Sequence, residues 1–309
     1  MSYELVVNVK PTGLVVALLR EGKLIELHSE SGSNDYNVGD IYLGTVKKVV
    51  PSLNAAFVNV GYEKDAFLHY LDLGPQFRSL DKYAKSSING KQSVSNLQYF
   101  RCEKDIDKEG KIPDVISSSQ NILVQIAKEP ISSKGPRLTS EVTLAGRYLV
   151  LVPFSNKVSV SQKIRDNAER DRLVRLLNSI RPKNFGVIIR TVAENKKVAQ
   201  LDQDLRDLLQ IWDALHSNLR NAKPPKRVLG ELDRASSLLR DLLNESFTNV
   251  HINDAALMTE MSDYVKSIAP GKENIFKLYK GRVDIFEHFG IHKQIKTLFG
   301  RKVPLSNGG

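Results

Sequence analysis

The chain has 309 residues with 41% hydrophobic and 26% charged residues and a formal net charge of +10, a globular composition of about two domains or three small ones. No apolar run approaches the ~20 residues of a membrane span. The start Met1-Ser-Tyr-Glu-Leu-Val-Val is not a signal peptide, and the single Cys102 excludes an internal disulfide framework or Cys-based zinc site, so a cytoplasmic protein is expected.

Residues 3–30 read as a β-meander, with strands beginning near Glu4, Leu14 and Leu24 and turns at Pro11-Thr-Gly and Glu21-Gly-Lys. After a polar spacer, Val38 to His69 carries short strands stopped by Gly or Pro, with aromatics at Tyr42, Phe57, Tyr62 and Phe67. Glycines where a sheet coils and aromatics on one face are what a small Greek-key barrel needs. The strand signal breaks from Arg78 to Asp114, a polar, Lys/Ser-rich stretch expected to be a long and partly disordered insertion. It resumes at Asn121 and closes near Leu138.

Strands around Arg147 and Gly186 then flank a helix from about Ala168 to Ile180. Val198, Leu201, Leu205, Leu208, Trp212, Leu215 and Leu219 alternate spacings of three and four, which predicts a long helix with one packing seam. Pro224-Pro225 ends it. A shorter helix with Leu229, Leu232, Leu239 and Leu242, a strand at Asn249 to Asn253 and a helix from Asp254 to Ile268 follow.

Residues 141–200 hold 12 Lys/Arg against 5 Asp/Glu, whereas residues 1–140 nearly cancel at 17 against 16. So local an excess points to an anion-binding surface. No Walker loop, nucleophile elbow or His-Glu-x-x-His is present. His288 and His292 stand at i, i+4, but without supporting carboxylates they read as surface or packing residues. The first strand carries Asn8 and Lys10 where an RNase H-type sheet would need a metal-binding Asp, so that sheet is expected to be structural.

Binding chemistry is better represented. Phe57 and Phe67 on successive strands could share a face on which bases stack, with Lys47, Lys48, Lys128 and Lys134 meeting phosphates. Phe57 alone reads equally well as core. At the end of a strand, Arg190 and Thr191 provide a guanidinium fork and a hydroxyl suited to one phosphate group, although a lone Arg there more often forms a salt bridge.

The strings Gly39-Asp-Ile-Tyr-Leu-Gly-Thr-Val, Pro51-Ser-Leu-Asn-Ala-Ala-Phe-Val-Asn-Val-Gly and Ala66-Phe-Leu occur in order with Lys134-Gly-Pro-Arg-Leu-Thr. Leu144-Ala-Gly-Arg-Tyr-Leu-Val-Leu-Val-Pro and Gly186-Val-Ile-Ile-Arg-Thr follow, then the tail pieces Ile275-Phe-Lys-Leu-Tyr, Ile285-Phe and Arg301-Lys-Val-Pro-Leu-Ser-Asn-Gly-Gly. Together they resemble the ribonuclease E/G family of bacterial endoribonucleases.

The resemblance implies an α+β, multi-subdomain fold. Residues 1–37 and 226–278 would form a split RNase H-like subdomain. An S1-type OB-fold would occupy 38–138 with its insertion at 78–114, a 5′-sensor α/β subdomain 139–225, and the start of a DNase I-like catalytic subdomain 279–309. It also implies roles: Arg190 and Thr191, with the backbone at Val150, would grip an RNA 5′-monophosphate. Phe57, Phe67 and Lys134 would hold single-stranded RNA.

The chain departs from the family in three places. The 78–114 insertion is long. Gln162, followed by Lys163, replaces a basic residue before the sensor helix. The catalytic aspartates and the zinc-binding cysteines that follow Ser-Gly-Gly in the family have no counterpart before Gly309. The expectation is therefore a recognition portion with no catalytic or metal-binding residue of its own. Its parent would be a Mg²⁺-dependent RNA-processing and decay enzyme, with a structural Zn²⁺, able to form homo-oligomers. A naturally short, non-enzymatic S1-type RNA-binding protein is the alternative. No membrane partner is expected.

Overall fold

The computed structural model describes residues 2–31, 36–232, 234–243, 246–269 and 271–298. Two compact units emerge: Asp35–Glu231, and Met1–Asn34 together with Leu232–Gly309.

In chain order, β1 (Tyr3–Lys10), β2 (Gly13–Arg20) and β3 (Lys23–Ser31) form the expected antiparallel meander. The next strands are β4 (Ile41–Val50), β5 (Ala55–Asn59), β6 (Ala66–His69), β7 (Asn121–Lys128) and β8 (Arg137–Thr139). They pair in the order β4-β5-β6-β8-β7, and β7 returns to β4 to close a five-stranded barrel. That connectivity fits an OB-fold. Its interior holds Val46, Ala56, Val58, Leu68, Ile122, Val124 and Leu138, all buried.

The barrel aromatics do not share one face, contrary to the sequence reading. Tyr42 is buried and stacks on Tyr36 at 5.2 Å between ring centroids, and Tyr36 also meets Tyr62 edge-on at 5.1 Å. Phe57 and Phe67 form a separate pair.

The 78–114 stretch is ordered, which corrects the expectation of partial disorder. Helix α1 (Phe77–Ile88) buries Leu80, Tyr83 and Ala84, and Leu97 further on is fully buried in the same core. Burial of a leucine such as Leu80 or Leu97 contributes ~1.5–3 kcal/mol. Few apolar residues suffice because their contacts are long-range. Asn184 Nδ2 donates to the carbonyls of Leu97 (2.9 Å) and Phe100 (3.0 Å), and Trp212 Nε1 donates to Ser95 O at 2.9 Å. The composition of the segment carries none of these contacts.

Next come β9 (Leu144–Ala145), β10 (Leu149–Pro153), β11 (Val158–Val160), α2 (Asn167–Ile180), β12 (Phe185–Ile189) and α3 (Val198–Leu219). The strands form a sheet of order β11-β12-β10-β9. Its core is completed by the α3 seam, in which Leu201, Leu205, Leu208, Trp212, Leu215 and Leu219 are all buried; Val198, expected in the seam, is exposed. The seam packs against its own unit, sharing one core with Leu80, Tyr83, Ile41, Leu43 and Leu123.

Strand β13 (Lys226–Leu229) joins the barrel sheet beside β4. Leu229, expected in a helix with Leu232, lies in this strand, where it can pair with Ile41. The helix itself is α4 (Arg234–Leu242), followed by β14 (Phe247–Ile252), α5 (Ala255–Ile268), β15 (Phe276–Leu278), α6 (Ile285–His288) and α7 (Ile291–Leu298). Asp254 caps α5, accepting from Leu257 N at 2.8 Å. The second unit carries a sheet of order β15-β14-β1-β2-β3. Leu5, Val7, Val16 and Leu18 pack toward α4 and α5, and Val6, Ala17 and Leu19 pack toward α6 and α7. A sheet covered on both sides needs the continuous apolar runs that β1 and β2 show. Arg301 to Gly309 of the family-like tail lie outside the described residues.

Candidate nucleic-acid interface

On the barrel, Phe57 of β5 and Phe67 of β6 are directly opposed partners. Cross-strand partners stand ~4.5–5.5 Å apart at Cβ, and here the rings meet edge-to-face with centroids 5.8 Å apart and planes at 67°. The row continues sideways, with Lys48 opposite Phe57, Arg137 opposite Phe67, and Lys128 opposite Arg137. Both rings, Lys64, Lys128, Lys134 and Arg137 line a groove of about 740 Å³.

Lys134 enters it from a tight turn in which its N–H donates to Ile131 O at 3.0 Å. Gly135 then passes so close to the chain at Asp65 that a Cβ would stand 2.5 Å from the Asp65 carbonyl oxygen. A side chain there would push the Lys134 loop off the barrel. Lys47 does not line the groove. It is the extra residue where the β4–β5 register shifts between Val46 and Lys48.

The second cluster surrounds Arg190 and Thr191. Val150 of β10 pairs with Ile188 of β12, so the three sequence-selected residues lie at one end of one sheet. Arg190 Nη1 donates to Gly146 O at 2.8 Å, and its backbone N–H donates to Tyr148 O at 2.9 Å. The Thr191 and Ser161 hydroxyls are 2.9 Å apart. Arg170 Nη1 fixes the Ser161 loop by donating to the carbonyls of Ser161 (2.9 Å) and Ile164 (3.1 Å). Lys163, in that loop, is exposed.

Beneath this surface lies Asp204, buried on α3. It accepts the backbone N–H groups of Arg147 at 2.9 Å, Tyr148 at 3.0 Å and Leu149 at 2.9 Å. Burial pushes its carboxyl above the ordinary range even though those three donors pull the other way. Gly146 sits against it, and a Cβ there would stand 2.8 Å from Asp204 Oδ2. The carboxylate therefore shapes the turn to which Arg190 is tied. Beside it, the Arg147 guanidinium lies over the Tyr148 ring at 5.2 Å.

The ribonuclease E/G family model matches residues 143–309. The chain belongs to the ribonuclease E/G family. It is 30% identical over 309 residues to Ribonuclease G of Escherichia coli (strain K12), an alignment covering 100% of this chain and 59% of that protein. To Ribonuclease G of Haemophilus influenzae it is 31% identical over 308 residues, covering 100% and 59%. Ribonuclease E of Nostoc sp. is 29% identical over 299 residues, covering 96% of this chain and 39% of that protein. The chain thus spans 59% of the length of the ribonuclease G proteins it matches.

Membership of the ribonuclease E/G family does not bring a metal site into view. Among the described residues no group of three or more His, Cys, Asp or Glu is arranged to hold an ion. Asn8 donates to Asp284, at 3.0 Å to Oδ2, and Asp284 also meets Lys10 at 3.7 Å and His292 at 3.2 Å. His288 packs instead against Tyr279 and Phe289.

Residues of the two clusters that escaped the sequence reading include Lys64, Arg137, Gly146, Ser161, Arg170 and Asp204. Arg137 and Gly146 lie within the family-like strings, so a residue-by-residue reading of those strings could have picked them out. Asp204 carries no local signal, because its partners are 55 to 57 positions away.

Proposed function

We infer that this chain is the RNA-recognising part of a single-strand-specific, Mg²⁺-dependent endoribonuclease acting in RNA processing and decay. The observation that carries this reading is the Phe57–Phe67 pair set in a cationic groove on a closed barrel, in a member of the ribonuclease E/G family. Aromatic faces take bases of any sequence at ~1–3 kcal/mol each, and Lys64, Lys128 and Lys134 meet the phosphates between them. Phe57 and Phe67 are the stacking residues. Lys134 and Lys128 are phosphate contacts at the groove, and Lys47 is one further along β4.

Arg190 and Thr191 bind the 5′-monophosphate of the RNA, assisted by the backbone at Val150. A guanidinium suits a terminal phosphate because its N–H groups form a planar fork onto two oxygens. The Gly146 carbonyl and the Thr191–Ser161 hydroxyl pair support this assignment by fixing both groups in advance. In this reading residues 139–225 form the 5′ sensor. Residues 1–34 and 232–278 form an RNase H-like support, narrower than the expected 1–37 and 226–278 because β13 lies on the barrel sheet, and residues from 279 lead to the part of the parent where Mg²⁺ and Zn²⁺ would act.

The test compares binding of one A/U-rich oligomer bearing a 5′-monophosphate or a 5′-hydroxyl. The expected result is tighter binding of the monophosphate by about tenfold, the worth of a charge-assisted hydrogen bond, with Arg190→Ala abolishing the difference. Equal affinities that Arg190→Ala leaves unchanged would exclude the sensor assignment.

A further inference from the structure

Phe57, Phe67 and Arg137 occupy opposed positions on three neighbouring strands. Arg137 Nε donates to Asp72 Oδ2 at 2.9 Å and Nη2 donates to Asp72 Oδ1 at 3.0 Å. This two-point fork fixes the guanidinium plane while leaving the side chain 44% exposed, within the same groove as the two rings. Asp72 is itself anchored, since its carbonyl accepts from Thr139 Oγ1 at 2.8 Å and from Ser140 N at 3.0 Å.

An arginine whose edge is occupied by a carboxylate is a poor phosphate contact, because its charge is already matched. Its flat face remains a stacking surface for bases. The same groove holds three lysines better suited to phosphates, Lys64, Lys128 and Lys134.

We propose that Arg137 is the third plane of a base-stacking platform formed with Phe57 and Phe67, and that Asp72 is its positioning residue. The platform takes consecutive bases of single-stranded RNA, the guanidinium face stacking on one base beside the two accepted by the rings. This rests on the RNA-binding reading of the barrel.

The test uses the full chain and a short 5′-hydroxyl A/U-rich RNA carrying 2-aminopurine at one position at a time, since stacking quenches its fluorescence. Arg137→Ala and Arg137→Lys should each weaken binding about five- to 150-fold, the scale of one stacked base. Both should remove quenching at one end of the bound stretch. The slope of log affinity against log salt should stay constant, because no phosphate contact is lost. Asp72→Asn, which keeps the charge of Arg137 but loosens its fork, should lose part of the affinity and part of the quenching.

Wild-type behaviour of Arg137→Lys overturns the stacking role. So does a slope reduced by about 0.7 in Arg137→Ala with quenching intact, the mark of a phosphate contact. Unchanged binding by Asp72→Asn overturns the positioning role. If Phe57→Ala weakens binding while both Arg137 variants do not, this proposal falls alone. If the wild-type chain does not bind the RNA, the barrel reading falls with it.

Discussion

The barrel groove and the Arg190 turn present cations in physically different ways. In the groove, position comes from the strand ladder, since Phe57, Phe67 and Arg137 face one another because their backbones are paired in register. Around Arg190 the supporting turn at 146–149 is shaped by one buried carboxylate, Asp204, that gathers three backbone N–H groups. A ladder distributes its support over many bonds, so a groove side chain can change without moving its neighbours. The turn concentrates its support in one side chain, so its geometry is exact but fragile.

The largest effect should therefore come from Asp204. Asp204→Ala leaves three donors buried without their acceptor and should cost about 3 kcal/mol, read from the urea midpoint. It should also erase any preference for 5′-monophosphorylated RNA while leaving the barrel's affinity for 5′-hydroxyl RNA within about twofold. A stable variant that keeps the preference would show that the turn holds its shape without the carboxylate. Gly146→Ala tests the same point from the other side. Its methyl group would press on Asp204 Oδ2, only 2.8 Å away, and overpacking of this kind should cost about 2 kcal/mol.

This contrast also governs what could be read from the sequence. The barrel announces itself through local signals: short β-rich runs, Gly and Pro stops, and aromatics at Phe57 and Phe67. The α3 seam does so through its spacing, from Leu201 to Leu219. What holds the turn is long-range. Asp204 sits among apolar seam residues on α3, and nothing in its neighbourhood marks it as the acceptor for Arg147, Tyr148 and Leu149. The order of residues 78–114 is hidden for the same reason, because Leu97, Phe100 and Ser95 are fixed by Asn184 and Trp212, residues 84 or more positions away. Composition reports what a segment can do alone, and these segments are ordered by what they meet.

Groove substitutions should behave in the opposite way from Asp204→Ala. Phe57→Ala should lower affinity for single-stranded RNA about tenfold and cost only about 1 kcal/mol of stability, since the ring is half-buried and its main aromatic partner is Phe67. A loss of stability larger than the loss of binding energy would return Phe57 to the core and remove it from the interface.

The smallest effect sets two carboxylates of residues 139–225 against each other by pH. Arg172 holds Glu169 below its ordinary value of 4.5 by donating from Nε at 2.6 Å and Nη2 at 2.8 Å; burial opposes this and the Asn195 N–H assists it. A depressed carboxyl contributes stability that is complete above its unfolded value and is lost as pH falls through its folded value. Asp204, raised by burial, has the opposite sign, because its protonation on acidification favours the native state. Urea midpoints measured from neutral pH downward should therefore fall less steeply below about pH 4.5 in Glu169→Gln than in the wild type. Curves that stay parallel through that range would mean that the Glu169–Arg172 pair holds no more in the folded chain than in the unfolded one. The acid response would then belong to the remaining carboxylates, since Asp204 acts in the opposite sense.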